Sequence, residues 1–319
     1  MTDTGAAAPT GVLVMAYGTP ARPEDIEAYY THVRRGRPPT PEQLADLQAR
    51  YAAIGGTSPL LELTQAQADG LAAALGDGWC VELGMKHAAP FIEDGMASLA
   101  RRGVRRVIGL VLAPHYSALS VGEYASRVRA TPAVVDDGVE LTMVESWHLE
   151  PGYLDLLCRR VTAACQRVTV SDPDRLEVVF TAHSLPARIL DTGDPYPAQL
   201  QETAEAVAER MALRRWSVGW QSAGRTPEPW IGPDLLEVLR DRAAAGVEGV
   251  VVCAAGFVSG HLEILFDLDV EATATAASLG LDFARTDSPN ADPSFCSTLA
   301  RVVTAQAAAA PSPNAVRGA

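Results

Sequence analysis

Short, continuous apolar runs alternate along this chain with longer amphipathic stretches, and that alternation predicts a doubly wound βα pattern with parallel sheets. Runs over 11–17, 80–85, 105–113 and 140–146 read as strands of a first half, and runs over 176–182, 216–220 and 248–255 as strands of a second. Helices are expected over 41–51, 62–76, 90–102, 120–130, 150–168, 197–212, 232–244 and 293–308. Another amphipathic segment, PEDIEAYYTHVRRGR, follows the first strand, with acids in its first turn and Arg34, Arg35 and Arg37 at its end, as the helix dipole favours. The second half repeats the plan of the first from about residue 150, without a residue-level repeat.

Chemistry gathers at the carboxyl ends of these strands, where open α/β sheets bind ligands. LEVVFTAHSLP delivers His183 at the end of a buried run, and His87, His115, His148 and His261 likewise follow apolar runs, so that five of the chain's six histidines share this placement. A single histidine at a strand end is usually a hydrogen-bonded structural residue; it is the recurrence that predicts an imidazole-rich crevice. Tyr17 ends the first strand before the Gly18-Thr19-Pro20 turn, a position where a packing role is the simpler reading. Arg34, Arg50, Tyr51 and the loop holding Ser58 gather arginines and hydroxyls near one mouth, which suits carboxylate recognition by the guanidinium fork. No P-loop and no GxGxxG follows any strand, so the usual grounds for nucleotide binding are missing.

The stretch GHLEILFDLDVE adds an acidic row. If helical, Glu263, Asp267 and Glu271 share one face while most of the remaining surface is apolar. Like charges at that spacing repel, and so apolar a helix does not lie on the surface. A row of carboxylates inside a crevice is a path for a divalent cation or for departing protons.

With 319 residues the chain is long enough for two α/β domains, and a formal net charge of −13 argues against a basic nucleic-acid groove and against anionic lipid. Five cysteines without a CxxC pair fit neither a disulfide framework nor a zinc finger. No run approaches the length of a membrane span, and the opening MTDTGAAAPT has no signal-like pattern, so a cytoplasmic protein is expected.

The motifs LVMAYGTP, RYAAIGGTSPL, GMKHAAPFIED, TAHSLP, WQSAGRTPEPWIGP and GHLEILFDLDVE, occurring in that order from about residue 11 to 305, resemble the ferrochelatases, specifically the coproporphyrin III type of Gram-positive bacteria. The resemblance implies two Rossmann-like domains with a porphyrin cleft between them; the pattern of elements divides them as 10–149 and 150–308, with the last helix expected to fold back on the first domain, and the composition of AAAAPSPNAVRGA predicts a disordered tail over 309–319. It implies a lyase-class metal chelatase that inserts Fe²⁺ into coproporphyrin III in haem biosynthesis, releasing two pyrrole protons. His183 and Glu263 are then the paired inner-site residues that hold the incoming iron or take the protons. Tyr17 becomes a candidate axial ligand on the opposite porphyrin face. Arg34, Arg50, Tyr51, Ser58 and Tyr124 match positions that hold propionates or line the cleft, and Asp267 and Glu271 match a carboxylate ladder on a widened helix.

Some relatives hold an iron–sulfur cluster through one mid-chain cysteine and three near the C-terminus; here no cysteine follows Cys296, so no cluster is expected. No long apolar insertion resembles a membrane-facing lip, and Tyr17 leans toward coproporphyrin. A monomer is expected, with a downstream coproheme decarboxylase as a candidate partner. The competing readings are a protoporphyrin IX ferrochelatase, a chelatase for another tetrapyrrole or metal, and a porphyrin or haem carrier without chemistry.

Overall fold

A computed structural model describes residues 8–309. Strands β1 (Thr10–Ala16), β2 (Trp79–Met85), β3 (Arg106–Val111) and β4 (Glu140–Val144) form one sheet in the order β2-β1-β3-β4. Strands β5 (Leu176–His183), β6 (Trp216–Gln221), β7 (Gly249–Cys253) and β8 (Asp282–Arg285) form a second in the order β6-β5-β7-β8. Every pairing is parallel, so the two sheets share one plan, with β1 and β5 at equivalent inner positions.

The connecting helices are α1 (Ile26–Val33), α2 (Pro41–Ala53), α3 (Leu60–Leu75), α4 (Ile92–Arg101), α5 (Val121–Arg129), α6 (Pro132–Val135) and α7 (Pro151–Cys165). They continue with α8 (Tyr196–Met211), α9 (Leu235–Ala244), α10 (Leu262–Leu265), α11 (Thr273–Leu279) and α12 (Pro293–Ala309). Local sequence explains several starts. Thr40 and Gln43 form a capping box at α2, with Pro41 at the position where a missing N–H costs nothing, and Asp234 with Glu237 does the same for α9.

Strand β5 is apolar on both faces because helices cover both: Val178, Val179, Phe180 and Ala182 are buried. Each side chain of Val or Phe size so buried contributes roughly 1.5–3 kcal/mol. Its one acidic residue, Glu177, is buried too and is satisfied by Ser217 Oγ at 2.6 Å and Arg242 Nε at 2.6 Å. The principal core runs through both halves, from Val12 and Leu71 to Phe180 and Phe295. Helix α12 supplies Phe295 and packs on α3 and β4 of the first half as well as on α7. Of the tail expected over 309–319, only Ala309 falls within the described residues, and it ends α12.

The seven strands expected from sequence are present with shifts of a residue or two at their ends, and an eighth, β8, joins them. Two glycines shape what lies above the strands. Gly18 has φ +96°, and a Cβ there would stand 2.9 Å from the Ala88 nitrogen, so the turn after β1 requires glycine. A Cβ on Gly256 would stand 2.5 Å from that of Ala182, so glycine lets the segment after β7 lie directly on β5.

Candidate active site

The carboxyl ends of both sheets open into one cavity of about 590 Å³. Its first-half wall includes Tyr17 after β1, Lys86 and His87 after β2, and Tyr124 of α5; its second-half wall includes His183 at the end of β5, Trp230, and the Phe257–Glu263 segment after β7.

His183 is held from several sides. Tyr196 of α8 donates its hydroxyl hydrogen to the His183 carbonyl at 3.0 Å, and the His183 Nδ1–H donates to the Ser184 carbonyl. Ser184 is fixed in turn, its N–H on the Gln221 carbonyl at 2.7 Å and its hydroxyl on the Ile231 carbonyl at 2.7 Å. With Nδ1 committed as a donor, Nε2 is the nitrogen that faces the cavity, and it stands 3.4 Å from Glu263 Oε1. The other oxygen of Glu263 stands 3.3 Å from Nε2 of His261, whose Nδ1–H donates to the Ser259 carbonyl at 3.0 Å. Glu263 therefore lies between two imidazoles oriented by the same device, an Nδ1–H on a nearby backbone carbonyl.

Each member of the pair favours the charged form of the other. Burial opposes a charge on His183, but the Glu263 carboxylate and the Ser184 carbonyl outweigh it and raise the imidazole to about 9. Burial likewise opposes ionisation of Glu263, and His183 with His261 reverses this, holding the carboxyl well below the usual carboxylate range. Each of the two side chains is 33% exposed, and what they expose lines the cavity.

Glu263 itself lies in one short turn of α-helix, α10, which leads into a π-helix over Asp267–Ala272 and then α11. The acidic row is thus carried on a widened helix, a device that recurs at functional sites. Asp267 is buried and accepts a hydrogen bond from Ser222 Oγ. Ser222 holds φ +60°, an unusual conformation for a residue with a side chain. Burial raises the Asp267 carboxyl to about 7; the Ser222 hydrogen bond lowers it, the neighbouring Glu263 adds to the rise, and Arg50 works against it. Glu271 lies beyond, half-buried. Asp269, in the same stretch, faces elsewhere and pairs with Arg285 at 2.5 and 2.7 Å.

Tyr17 is 43% exposed, and the surface it exposes lines the cavity. Burial of the phenol among protein groups, with Glu263 and Glu123 nearby, raises its pKa above the ordinary tyrosine value, so it stays protonated. His87 stacks against it with ring centroids 4.5 Å apart; burial and then Lys86 lower His87 to about 3, which leaves a neutral imidazole.

Arg50, Tyr51, Ser58 and Tyr124 all line the cavity. The Tyr51 hydroxyl shares a hydrogen bond with Thr19 Oγ1 at 3.1 Å, and the Arg50 guanidinium lies 5.2 Å from the centre of the Phe266 ring, its buried Nε 3.4 Å from Asp46 Oδ2 without a well-formed hydrogen bond. Arg34 is placed differently. Its Nε donates to the Arg37 carbonyl at 3.2 Å and its guanidinium stacks over Tyr30, while it is Arg35, turned by a φ of +57°, that reaches the cavity wall. Of the strand-end histidines, His87, His115, His183 and His261 line the cavity, whereas His148 does not and pairs with Glu202 at 2.8 Å.

His261, expected in the imidazole-rich crevice, was given no role beside Glu263, although the His-Leu-Glu spacing carried that signal, and Gln221 was not singled out from sequence at all. Gln221 donates to the Glu263 carbonyl at 3.0 Å and accepts from Thr181 at 2.8 Å, tying β5 to the acidic helix; its only signal was membership of the WQSAGRTPEPWIGP motif. Among the described residues no three His, Cys, Asp or Glu side chains converge as a ready-made metal cage.

A family model described as Ferrochelatase matches residues 9–307. The coproporphyrin III ferrochelatase of Anoxybacillus flavithermus is 44% identical over 299 residues, 92% of this chain and 95% of the relative. That of Geobacillus thermodenitrificans is 43% identical over 299 residues, 92% of this chain and 94% of the relative. A ferrochelatase of Herpetosiphon aurantiacus is 44% identical over 303 residues, covering 94% and 99%. Among solved structures, the sirohydrochlorin chelatase SirB of Bacillus subtilis subspecies spizizenii in complex with cobalt superposes with a TM-score of 0.56 at 12% identity, covering 94% of this chain and 96% of that one. At that identity the likeness shows the fold alone: two parallel sheets in a chelatase arrangement.

Proposed function

This chain belongs to the ferrochelatase family, and from that premise we propose that it is a coproporphyrin III ferrochelatase, a lyase that inserts Fe²⁺ into coproporphyrin III. The observation that carries the reading is the His183–Glu263 pair, 3.4 Å apart on the wall of a cavity whose volume falls in the range of small-molecule sites.

The reaction exchanges one dication for two pyrrole protons, so the site needs an anionic landing point, a base and an exit for protons. In this account the macrocycle lies between Tyr17 on the first-half wall and the His183–Glu263 pair on the second. Glu263 is already ionised and attracts the iron. A dication beside that carboxylate takes over from the imidazolium as its counter-ion, His183 loses its proton, and Nε2 is freed to receive a pyrrole proton or to bind iron. Asp267, with a carboxyl near 7, exchanges protons at neutral pH and hands them toward Glu271. Charge balances, because Fe²⁺ enters and two H⁺ leave. The propionates fall to Arg50, Tyr51, Ser58 and Tyr124; Arg50, whose one carboxylate partner among the described residues, Asp46, stands at a long 3.4 Å and whose buried Nε makes no well-formed hydrogen bond, is suited to a substrate carboxylate.

The reading that no cofactor is permanently bound belongs to the same proposal, and that of no iron–sulfur cluster rests on five scattered cysteines with no group of three among them. The division at residue 149/150 belongs to the proposal too and rests on the alternation of elements in the sequence; the cytoplasmic setting, the monomer and the decarboxylase partner are carried with it as expectations. Among the described residues no helix is long and apolar enough to cross a membrane.

Anaerobic incubation with Fe²⁺ and either coproporphyrin III or protoporphyrin IX, followed by absorbance, tests the reading. The first porphyrin should be metallated and preferred; preference for the second overturns the substrate assignment.

A further inference from the structure

One carboxylate on the cavity wall is left without a role in that mechanism. Glu123 sits in the first turn of α5 and lines the cavity beside Lys86 and Arg35, which line it as well. Its Oε2 contacts Lys86 Nζ, and its Oε1 stands 3.5 Å from Arg35 Nη2. Among the described residues neither cation pairs with any other carboxylate. The neighbouring cation, Arg127, is committed elsewhere, gripping both oxygens of Glu93 at 2.7 Å each. Lys86 is largely covered, 15% exposed, and lies 5.2 Å from the centre of the Tyr124 ring.

We propose that Glu123 is a built-in stand-in for a substrate carboxylate: it occupies Lys86 and Arg35 while the cavity is empty and competes with an incoming carboxylate for both. This rests on the function proposed above and deepens it, since coproporphyrin carries four carboxylates and a wall bearing two unoccupied cations would bind it more tightly. The competing carboxylate weakens the complex, which matters for an enzyme that must release an acidic product. The bland reading is that Glu123 only complements the helix dipole of α5 and neutralises Lys86. The two differ in sign: removing a competitor tightens binding, whereas removing a merely structural acid does not.

The test is a fluorescence titration of coproporphyrin III, without metal, into the wild type, Glu123→Gln and Glu123→Ser. At low ionic strength both variants should bind about three- to tenfold more tightly, the ceiling being set by how exposed Arg35 is, and the gain should shrink in high salt. Arg35→Ala should cost more affinity in the Glu123→Gln background than in the wild type, because the guanidinium is then free for the ligand. Equal or weaker binding by both variants overturns the inference, as does an equal cost of Arg35→Ala in the two backgrounds. If the wild type does not bind coproporphyrin III at all, the functional reading falls with it; if it binds and the variants are no tighter, only the role of Glu123 is lost.

Discussion

His183→Ala cuts metal insertion by about 10²- to 10⁴-fold, the usual worth of a positioned acid–base group, while coproporphyrin III still binds. The split follows from geometry. His183 contributes one imidazole to the cavity wall, and the groups assigned to the propionates, Arg50, Tyr51, Ser58 and Tyr124, come from the other half of the chain. Removing the ring takes away the nitrogen facing Glu263 and leaves the carboxylate with His261 alone. Single-turnover absorbance changes report the chemical step, and porphyrin fluorescence quenching reports binding. Turnover within a few-fold of the wild type removes His183 from the mechanism.

Glu263→Gln has an effect of similar size on turnover, and it also changes how the protein responds to pH. With the carboxylate gone, burial is the main influence left on His183, so its pKa should drop from about 9 to below the ordinary 6.5. The stability consequence has a definite sign. In the wild type the folded-state pKa of His183 is raised above 6.5, so its contribution is fully present below pH 6.5 and is lost as pH climbs from 6.5 through about 9. The depressed Glu263 contributes above the ordinary 4.5 and loses that contribution as pH falls. Melting temperatures of the wild type should therefore decline more steeply between pH 6.5 and 9 than those of Glu263→Gln. Parallel declines would mean that the two side chains do not share a charge-stabilised pair in solution.

Much of this was legible in the sequence because burial on both faces of a parallel strand leaves an uninterrupted apolar run. LEVVFTAH is such a run apart from Glu177, and its end places His183 at the carboxyl edge of a sheet. Strand β8 escaped because Asp282–Arg285 is a short edge strand with two charged residues in four, and its pairing to β7 is decided by tertiary contact. Helix α11 escaped for a related reason, since the stretch after the acidic row is rich in Ala and Thr and has little amphipathic signal. The acidic row itself was visible from residue type and spacing. Its π-helical turn was not, because Asp267, Asp269 and Glu271 read the same in either helix, and it took the structure to separate Asp269, which pairs outward with Arg285, from Asp267, which is buried beside Ser222. The choice between Arg34 and Arg35 was equally closed to sequence. The two differ only in which one the left-handed turn at the end of α1 rotates toward the cavity. Glu123 looked like an ordinary first-turn acid, and only its contacts with Lys86 and Arg35 mark it out.

The central claim is that a phenol from one sheet and an imidazole–carboxylate pair from the other face each other across a gap that takes a flat, acidic macrocycle. A crystal structure of the protein with coproporphyrin III bound tests it most directly. The account predicts the ring seated in the cavity with Tyr17 over one face, His183 and Glu263 over the other, and a propionate on Arg50. A macrocycle bound outside that cavity, or one with Tyr17 and His183 on the same face, contradicts it.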